Sequence, residues 1–366
     1  MASPASAPAD RSRVLVAMSG GVDSSVAAAL LHEAGCEVIG VTLHLWDAEG
    51  DQHVGRCCAP EDREDARRTC DLLGVPHYVI DERDAFRRQV VDPFMDDNLA
   101  GRTPAPCVAC NQQVKLGRLW QLAQELGATR VATGHYARTE LAADGRVRLL
   151  RGADPDKDQS YFLFGVPVEV LVRLMFPLGA MTKQEARAHA RRLSLPNWDK
   201  PDSQELCFVP DRDVRGFIGR QRPSVGVPGP ILSADGRLLG RHEGIEGFTV
   251  GQRRGLRVSA DKPLYVLRVL PDQAAVVVGT EAELQTEELH ADAARWLVPR
   301  PAEAFEADVR IRHRHHAAKA TVTPTPDGFR VRFAAPQRAV APGQAAVLYQ
   351  GDQVLGGGLI DGTANA

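Results

Sequence analysis

A glycine- and serine-rich segment, residues 18–25, has the composition of a phosphate-binding loop. It follows the apolar run Val14 to Ala17 and precedes the helix-forming run Val26 to Ala34. At such a strand-to-helix turn, two glycines let backbone N–H groups approach a phosphate, and the helix N-terminus and the serine hydroxyls add donors. The segment has neither the lysine of G-x-x-x-x-G-K-[ST] nor the spacing of G-x-G-x-x-G, which argues against kinase-like transfer and dinucleotide binding. The alternative is an ordinary tight turn with a serine N-cap.

Asp23 lies inside this segment. A carboxylate is a ligand type that magnesium prefers, so Asp23 is predicted to hold Mg²⁺ on a bound pyrophosphate. The alternative is that Asp23 only caps the following helix.

Two thiols, Cys107 and Cys110, form a Cys-x-x-Cys pair in a proline-containing loop ahead of the helical run Gln112 to Leu126. A thiol just before a helix N-terminus has a lowered pKa, so its nucleophilic thiolate is more populated. Cys207 is a third candidate, and its polar-then-apolar neighbours predict the edge of a strand. By itself the pair fits a redox pair, a metal site or two buried thiols.

The other four cysteines are weaker candidates. Zinc would need two ligands besides the pair, and the adjacent Cys57 and Cys58 are awkwardly spaced to supply them. Cys36 and Cys70 occur in apolar or helical stretches, which predicts core positions rather than chemistry.

The elements that must position these residues alternate along the first part of the chain. Between Val14 and Tyr136, apolar β-branched runs alternate with helical patterns, which predicts a parallel sheet with helices on both faces. Ligands bind such a sheet at the carboxyl ends of its strands. From about Val209 onward, short apolar runs broken by Gly and Pro predict antiparallel strands and turns. A further set after Ala293 predicts a small terminal β-barrel.

Length and composition set broad limits. The 366 residues predict two or three domains, and 44% hydrophobic with 25% charged residues match a soluble globular protein. Residues 1–12 lack the apolar run of a signal peptide and are predicted to be a disordered leader, and no apolar run is long enough to cross a membrane. Seven cysteines without secretion features favour a reducing cytoplasm. The net charge of -3 means that local basic patches must contact any nucleic acid.

Five motifs, taken in order, resemble those of the tRNA-specific 2-thiouridylases. They are S-G-G-V-D-S in the loop, G-R-T-P-A-P-C-V-A-C-N (101–111), A-T-G-H-Y-A-R (132–138), D-K-D-Q-S-Y-F-L (156–163) and D-S-Q-E-L-C-F-V (202–209). The loop also resembles that of enzymes that split ATP between its α and β phosphates to adenylate a substrate. G-Q-R-R-G-L (251–256) and A-P-G-Q-A-A-V-L-Y (341–349) look like the family's central and terminal β domains, so the resemblance covers nearly the whole chain.

The resemblance implies an α/β fold: a doubly wound, mostly parallel sheet of the pyrophosphatase-loop ATPase type, then a small central β-rich domain and a C-terminal β-barrel. The predicted domains are the leader (1–12), the ATP-pyrophosphatase catalytic domain (13–208), the central domain (209–290) and the tRNA-contacting barrel (291–366). The implied activity is ATP-dependent 2-thiolation of the wobble uridine of tRNA. It would use magnesium, and a cysteine desulfurase or a sulfur-relay protein would supply the sulfur.

Carried over by position, the resemblance implies three groups of site residues and no resident metal ligand. The ATP group is Ala17, Met18, Ser19, Gly20, Gly21, Val22, Asp23, Ser24, Leu43 and Gly134. The tRNA group is Ala105, Pro106, Cys107, His135, Lys157, Asp158, Gln159, Arg312, His313 and Gln344. The catalytic group is Cys110 as the nucleophile and Cys207 as the persulfide carrier. The alternatives are that Leu43 and Gly134 simply end strands and that His135 is a structural histidine.

The chain departs from the family at two of these positions. Many members have Asp where this chain has Cys107, and Ala105 replaces a frequent Asn. The resemblance therefore supplies no aspartate base at that point.

The implied chemistry begins with adenylation of the uridine C2 oxygen, which turns a poor leaving group into AMP. A persulfide on Cys207 then attacks C2, and the Cys110 thiolate cleaves the sulfur–sulfur bond, leaving a transient disulfide that a reductant must reset. The alternative is an oxygen-sensitive iron–sulfur cluster on Cys107, Cys110 and Cys207, whose open iron would carry the attacking hydrosulfide. We favour the persulfide, because the same thiols suffice for it.

The tRNA must meet basic residues. The bases of an anticodon loop can be splayed into a pocket, while its phosphates need cations. Arg310, Arg312 and Arg314 alternate with other residues, so a strand there would present one arginine-rich face. The alternative is that this face is only solvated surface.

Two rival functions use parts of the same pattern. A different adenylating ligase or an amidotransferase would need the loop but neither Cys110 and Cys207 nor a basic barrel. An RNA-binding module with an inactive nucleotide site would have no need of an intact Ser-Gly-Gly-Val-Asp-Ser sequence.

Overall fold

The computed structural model describes residues 12–47, 60–202, 206–209, 213–223 and 225–363. Residues 1–11 of the predicted leader, and Cys57 and Cys58, lie outside these ranges. The chain divides into two compact units. Unit 1 comprises Met1–Val90, Cys107–Pro210 and Asp352–Val354, and unit 2 comprises Val91–Pro106, Asp211–Gly351 and Leu355–Ala366.

The α-helices of the described residues are, in chain order, α1 (Val22–Glu33), α2 (Pro60–Leu73), α3 (Arg83–Phe86), α4 (Asp92–Leu99), α5 (Pro106–Ala109), α6 (Leu116–Glu125), α7 (Val168–Leu171), α8 (Lys183–Arg192) and α9 (Val214–Gln221). π-Helical turns occur at Arg87–Val91 and Cys110–Lys115, and 3-10 turns at Ser160–Leu163, Ile245–Gly247 and Pro271–Gln273. None of the helices in these ranges is long and apolar enough to span a membrane.

The strands are β1 (Arg13–Ala17), β2 (Glu37–His44), β3 (His77–Asp81), β4 (Arg130–Ala132), β5 (Ala137–Leu141), β6 (Val147–Arg151), β7 (Leu174–Met175), β8 (Gly229–Ser233), β9 (Leu238–His242), β10 (Tyr265–Leu270), β11 (Ala275–Gly279), β12 (Gln285–Trp296), β13 (Phe305–Arg310), β14 (Ala318–Pro324), β15 (Gly328–Arg338), β16 (Ala345–Gln350) and β17 (Gln353–Thr363).

Unit 1 is built on a five-stranded parallel sheet in the order β3-β2-β1-β4-β7, which confirms the predicted fold class. The order reverses at β1, because β2 and β3 extend to one side of it and β4 and β7 to the other. Ligands of such sheets bind at the carboxyl ends of the strands beside the reversal. The turns that leave β1 and β4, residues 18–21 and 133–135, therefore lie where a ligand is expected. An antiparallel hairpin of β5 and β6, which the sequence did not predict, follows β4.

The core of unit 1 includes Val14 and Val16 of β1, together with Ala28 of α1. Cys36 and Cys70 belong to the same cluster and are 5% and 0% exposed, which confirms their predicted core positions. Burial raises the pKa of the Cys70 thiol to about 12, so this thiol stays protonated.

Unit 2 contains two sheets. The first has the order β10-β11-β8-β9, in which two antiparallel pairs are joined by the parallel pair of β11 and β8. The second runs β12-β15-β14-β13-β16-β17 and closes through pairing of β12 with β17. The central region is therefore β-rich as predicted, although not wholly antiparallel, and the predicted C-terminal barrel is confirmed. Buried side chains such as Val309 and Phe329 pack in the core of the barrel.

Candidate nucleotide and thiol site

The turn after β1 is held by hydrogen bonds between its own residues and packs against α2. Gly20 adopts a left-handed φ of 74°, and a Cβ there would lie 2.0 Å from the backbone oxygen of Asp62 in α2, so only glycine fits. The N–H and Oγ of Ser19 both donate to Ser24 Oγ over 3.2 Å, and Ser24 Oγ donates to the Gly21 carbonyl over 3.0 Å. The first N–H groups of α1 have no intrahelical acceptor, as at any helix start, and so suit an anion.

The other residues predicted for ATP contribute chiefly through the backbone. Met18 and Val22 are 2% and 4% exposed, so their side chains belong to the core. Thr42 Oγ1 donates to the Met18 carbonyl over 2.7 Å and holds the loop against β2. Leu43 is half-buried near the carboxyl end of β2, and Ala17 ends β1.

Asn197 and Lys200 hold the loop through one carbonyl. Asn197 Nδ2 and Lys200 Nζ donate to the Gly20 carbonyl over 2.9 Å and 3.3 Å. Lys200 Nζ also donates to Asp62 over 2.6 Å and to Asp65 over 2.5 Å. Burial alone would lower the pKa of Lys200, but the hydrogen bonds to Asp62 and Asp65 outweigh it and raise that pKa. The lysine therefore stays charged and ties the loop to α2.

Asp23 lies in the first turn of α1, whose N-cap is Gly21. Both Asp23 oxygens accept from Lys183 Nζ over 2.8 Å, and Oδ1 also accepts from the Tyr136 hydroxyl over 2.9 Å. Burial, followed by the Asp23 charge, raises the pKa of Tyr136, so its hydroxyl remains a donor. Asp23 therefore does not cap α1, because the N-cap is Gly21 and no side chain makes a capping hydrogen bond there. The carboxylate, 33% exposed at the loop, is a hard oxygen ligand of the kind that fits Mg²⁺ on a phosphate.

Lys183 connects Asp23 to a second carboxylate, Asp202. Lys183 Nζ lies 2.8 Å from Asp202 Oδ1, to which Arg187 Nη2 donates over 2.9 Å, while Lys157 Nζ donates to Oδ2 over 2.7 Å. Burial alone would raise the pKa of Asp202, but hydrogen bonds from Lys157 and Lys183 outweigh it and lower that pKa to about 2. Asp202 is therefore ionised and shared by three cations. These five residues are called the carboxylate–lysine network below.

The turn after β4 supplies Gly134 and His135. A Cβ on Gly134 would lie 2.8 Å from backbone atoms of Asp23 and Ser24, so glycine lets this turn lie against the start of α1. His135 Nδ1 lies 2.8 Å from the hydroxyl of Thr133. Burial lowers the pKa of His135 to about 3, so the imidazole is neutral at pH 7.

Cys107 and Cys110 lie inside a helical segment rather than before it. Helix α5 begins at Pro106, which suits a first helical position, and the π-helical turn Cys110–Lys115 and α6 follow it directly. Cys107 is an exposed residue of α5, and Cys110 is 5% exposed. The prediction that both thiols precede a helix N-terminus is therefore wrong.

Cys207 lies in a turn and not at the predicted strand edge. It is half-buried, and the Phe208 ring beside it lies 5.6 Å from Phe86 and 6.3 Å from Trp46, between ring centroids. Helix α3, which carries Phe86, packs against the π-helical turn that begins at Cys110. The chain around Cys207 and the turn of Cys110 thus contact the same short helix.

Comparison with known proteins gives the family. Residues 12–211 match the tRNA methyl transferase HUP domain, residues 215–280 the tRNA methyl transferase PRC-barrel domain, and residues 286–360 the aminomethyltransferase beta-barrel domain. The tRNA-specific 2-thiouridylase MnmA of Sorangium cellulosum (strain So ce56) is 50% identical over 98% of this chain and 94% of its own length. That of Geotalea uraniireducens (strain Rf4) is 48% identical over 97% and 96%. The chain belongs to the tRNA-specific 2-thiouridylase family.

Solved structures add no further argument. An NMN synthetase from Francisella tularensis matches with 18% identity and a TM-score of 0.37, over 59% of this chain and 78% of that chain. A likeness this distant does not bear on the activity.

Three residues at 2-thiouridylase tRNA positions in unit 1 have contacts within the protein. Lys157 binds Asp202 in the carboxylate–lysine network. Asp158 is 4% exposed, and its Oδ1 accepts two backbone N–H groups. Gln159 Oε1 accepts the N–H of Tyr136 over 3.0 Å. Their contact with tRNA stays a prediction.

Gln344, another 2-thiouridylase tRNA position, has a positional role in unit 2. Its Nε2 donates to the carbonyls of Thr103 and Pro104, each over 3.1 Å. Those residues directly precede Ala105 and Pro106, so Gln344 holds the chain that leads into α5.

The predicted arginine-rich strand face is wrong. Strand β13 ends at Arg310, and residues 311–314 form bends and turns. Arg310 is 7% exposed, because its guanidinium lies 6.0 Å from the Tyr349 ring and donates to the His313 carbonyl. Arg312 and His313 are half-buried, and Arg312 Nη1 donates to the Arg338 carbonyl over 3.1 Å.

Sequence reasoning missed several side chains that organise the site. Lys183, Asn197 and Lys200 lie outside every motif that was recognised. For Lys183 a signal existed, since Thr182 and Glu185 form a capping box that starts α8 at Lys183. Neighbouring residues give no comparable signal for Asn197 and Lys200, whose partner Gly20 is distant in sequence.

Proposed function

We propose that this protein uses ATP to adenylate the C2 oxygen of a tRNA uridine and then replaces that oxygen with sulfur. Family membership supports the substrate and the product, because curated 2-thiouridylases match it over nearly its whole length. The observation that carries the ATP step is the phosphate loop. There Gly20 lies against α2. Asp23, in the first turn of α1, accepts a hydrogen bond from Lys183.

The first step places negative charge at this loop. The N–H groups at the start of α1 would bind the departing pyrophosphate, and Lys183 would balance part of its charge. Magnesium, held by Asp23 and the phosphate oxygens, would neutralise further charge. The uridine C2 oxygen attacks the α-phosphorus, pyrophosphate leaves, and the base becomes adenylated.

The second step uses the thiols. The terminal sulfur of a persulfide on Cys207 attacks C2, and AMP leaves with the former C2 oxygen. The Cys110 thiolate then attacks the Cys207 sulfur, which forms a disulfide and leaves the outer sulfur on the base. A thiol reductant restores both cysteines, and a cysteine desulfurase or a relay protein reloads Cys207.

The experiment that tests this function is pyrophosphate release with and without unmodified tRNA. We expect release only with tRNA, together with 2-thiouridine when persulfide is supplied. Release that ignores tRNA would indicate a small-molecule ligase, and tRNA binding without release would indicate a binding module. Asp23→Asn should abolish release while tRNA affinity stays within about twofold, because the loop holds phosphate of ATP and not RNA.

A further inference from the structure

We propose that Asn197 is a positioning residue for the phosphate loop, which holds the Gly20 carbonyl and so turns the Gly21 N–H toward the phosphates of ATP. The inference rests on the proposed function, because it names the side chain that sets the anion-binding groups for the adenylation step. Asn197 lies in the turn after α8, outside every motif that carries the family resemblance.

The first support is the amide group of Asn197, whose hydrogens bond both to the loop and to α1. Nδ2 donates to the Gly20 carbonyl over 2.9 Å and to Ser25 Oγ over 3.0 Å. Asn197 and Ser25 are 3% and 0% exposed, so water competes little for these bonds. One side chain thus joins the turn after β1 to the helix that follows it.

The direction of these bonds is fixed by their neighbours. Because Ser25 Oγ accepts from Asn197, its own hydrogen is left for Thr69 Oγ1, which lies 3.2 Å away. Thr69 Oγ1 donates in turn to the Asp65 carbonyl over 2.9 Å. The Gly20 carbonyl can only accept, so the Asn197 atom that faces it must be the amide nitrogen. A directed chain of hydrogen bonds therefore runs from Asn197 to α2.

The second support is the orientation of the peptide between Gly20 and Gly21. This peptide is trans, so its carbonyl and its N–H point in opposite directions. The Gly20 carbonyl faces Asn197 and Lys200. The Gly21 N–H therefore faces the other way, where Ser19 Oγ lies 3.5 Å from it. That distance is long for a hydrogen bond, so a phosphate oxygen would be a stronger acceptor for this N–H.

The third support is that Asn197 is itself held in place. Leu195 is 0% exposed and packs in a core cluster with Val22 of α1. The Lys200 N–H donates to the Asn197 carbonyl over 3.1 Å, which closes the turn. From α8, the Arg187 guanidinium donates to the Lys200 carbonyl over 3.0 Å. A turn fixed in this way can set the position of a loop that contains glycines.

The glycine at position 20 gives this restraint its importance. Without a Cβ, the backbone at Gly20 can rotate more freely than at other residues. With Asn197 in place, the loop presents its N–H groups before ATP arrives, and binding does not have to order them. Without Asn197, only Lys200 would hold the carbonyl, over 3.3 Å, and its ammonium also serves Asp62 and Asp65. We therefore expect ATP and pyrophosphate to bind more weakly.

The test is calorimetric titration of full-length Asn197→Leu and of the parent protein with Mg-ATP, Mg-pyrophosphate, AMP and unmodified tRNA. Leucine has nearly the shape of asparagine but no donor, and Gly20 and Ser25 each keep one partner, so the variant should fold. We expect affinity for ATP and pyrophosphate to fall about five- to tenfold. Affinity for AMP and tRNA should stay close to that of the parent, because neither places a β or γ phosphate in the loop.

The matched control is Asn98→Leu. Asn98 is another buried asparagine, and its Nδ2 donates to the Phe94 carbonyl in α4 over 2.7 Å. Its replacement should lower the urea unfolding midpoint as much as Asn197→Leu does, with all four affinities unchanged. A second variant, Asn197→Ser, shortens the side chain and removes the amide, and it should show the same selective loss as Asn197→Leu.

Two outcomes would overturn the inference. One is parent-like affinity for ATP and pyrophosphate in both Asn197 variants. The other is a loss that AMP or the Asn98→Leu control shares, since a pocket that is only loosened would bind every ligand less well. Pyrophosphate release by the parent with tRNA, measured alongside, tests the proposed function separately. Its absence rejects adenylation of tRNA, whereas the affinities decide the role of Asn197.

Discussion

Cys107, Cys110 and Cys207 differ in their access to solvent: the first is exposed, the second buried and the third half-buried. A persulfide carrier must be reached by its donor and then by the base, which suits a half-buried thiol. A resolving thiolate needs only to reach that carrier, which suits Cys110. Cys107 has no required part in this scheme.

Replacing each of these thiols by Ser should therefore give different results. With a persulfide donor under air, we expect Cys110→Ser and Cys207→Ser to form no 2-thiouridine, and Cys107→Ser to keep at least a third of the parent rate. Mass spectrometry of nucleosides digested from the tRNA gives the measurement. Stoichiometric iron in protein purified without oxygen, lost together with activity in Cys107→Ser, would favour the iron–sulfur alternative.

Because burial lowers the pKa of His135, we expect the folded protein to lose stability at acid pH. Its folded-state pKa of about 3 lies below the ordinary unfolded value of about 6.5, so between these values only the unfolded chain binds a proton there. Stability from this group is complete above pH 6.5 and is lost as the pH falls below it.

We therefore expect the parent protein to lose more stability than His135→Gln between pH 7 and pH 5. The expected difference is about 1 kcal/mol once solvent screening is allowed for. Urea unfolding midpoints at the two pH values measure it. Identical pH dependence in both proteins would show that the pKa of His135 does not differ between the folded and unfolded states.

Among the elements, the phosphate loop lies in close contact with α2. Gly20 and Gly35 both have left-handed φ angles, 74° and 82°. A Cβ on Gly20 would collide with Asp62, whereas a Cβ on Gly35 meets nothing within 4 Å. Alanine at Gly35 therefore tests backbone strain alone, whereas alanine at Gly20 tests strain together with the packing of the loop against α2.

Gly35→Ala should cost about 1–2 kcal/mol of unfolding free energy from its left-handed backbone, with ATP affinity unchanged. Gly20→Ala should cost more than this and weaken ATP binding at least tenfold, because the loop must move away from α2. Calorimetric titration with ATP and urea unfolding measure the two effects. Equal ATP affinity in both variants would mean that the loop does not hold the nucleotide.

For the molecule as a whole, a net charge of -3 gives no general attraction to RNA. Binding must rest on particular cations. Since Arg310 is buried, Arg312 becomes the stronger candidate for a phosphate contact in the turn after β13.

Arg312→Ala should weaken tRNA binding several-fold at low salt and reduce the slope of log K against log salt by about one. Arg330→Ala, which removes an exposed arginine of β15, is the control and should keep the parent slope. Filter binding between 50 and 200 mM salt, a range over which phosphate contacts change affinity by about tenfold or more, measures the slope. An unchanged slope in Arg312→Ala would show that Arg312 makes no phosphate contact.

The sequence by itself determined the parallel sheet, the glycine-containing turn after β1 and the C-terminal barrel. Each can be predicted from residues that are close together in the sequence. The hydrophobic period predicts strands and helices, and the glycine pair predicts the turn. Cys36 and Cys70 were placed in the core for the same reason.

Only the tertiary structure decided how distant residues meet. Lys183, Asn197 and Lys200 act on a loop more than a hundred residues earlier, and no periodic pattern records such a pairing. Arg310 was expected on an exposed, arginine-rich strand face but is buried, since the Tyr349 ring and a nearby carbonyl meet its charge. A charged side chain is buried where folding supplies its partners, and those partners come from other parts of the chain.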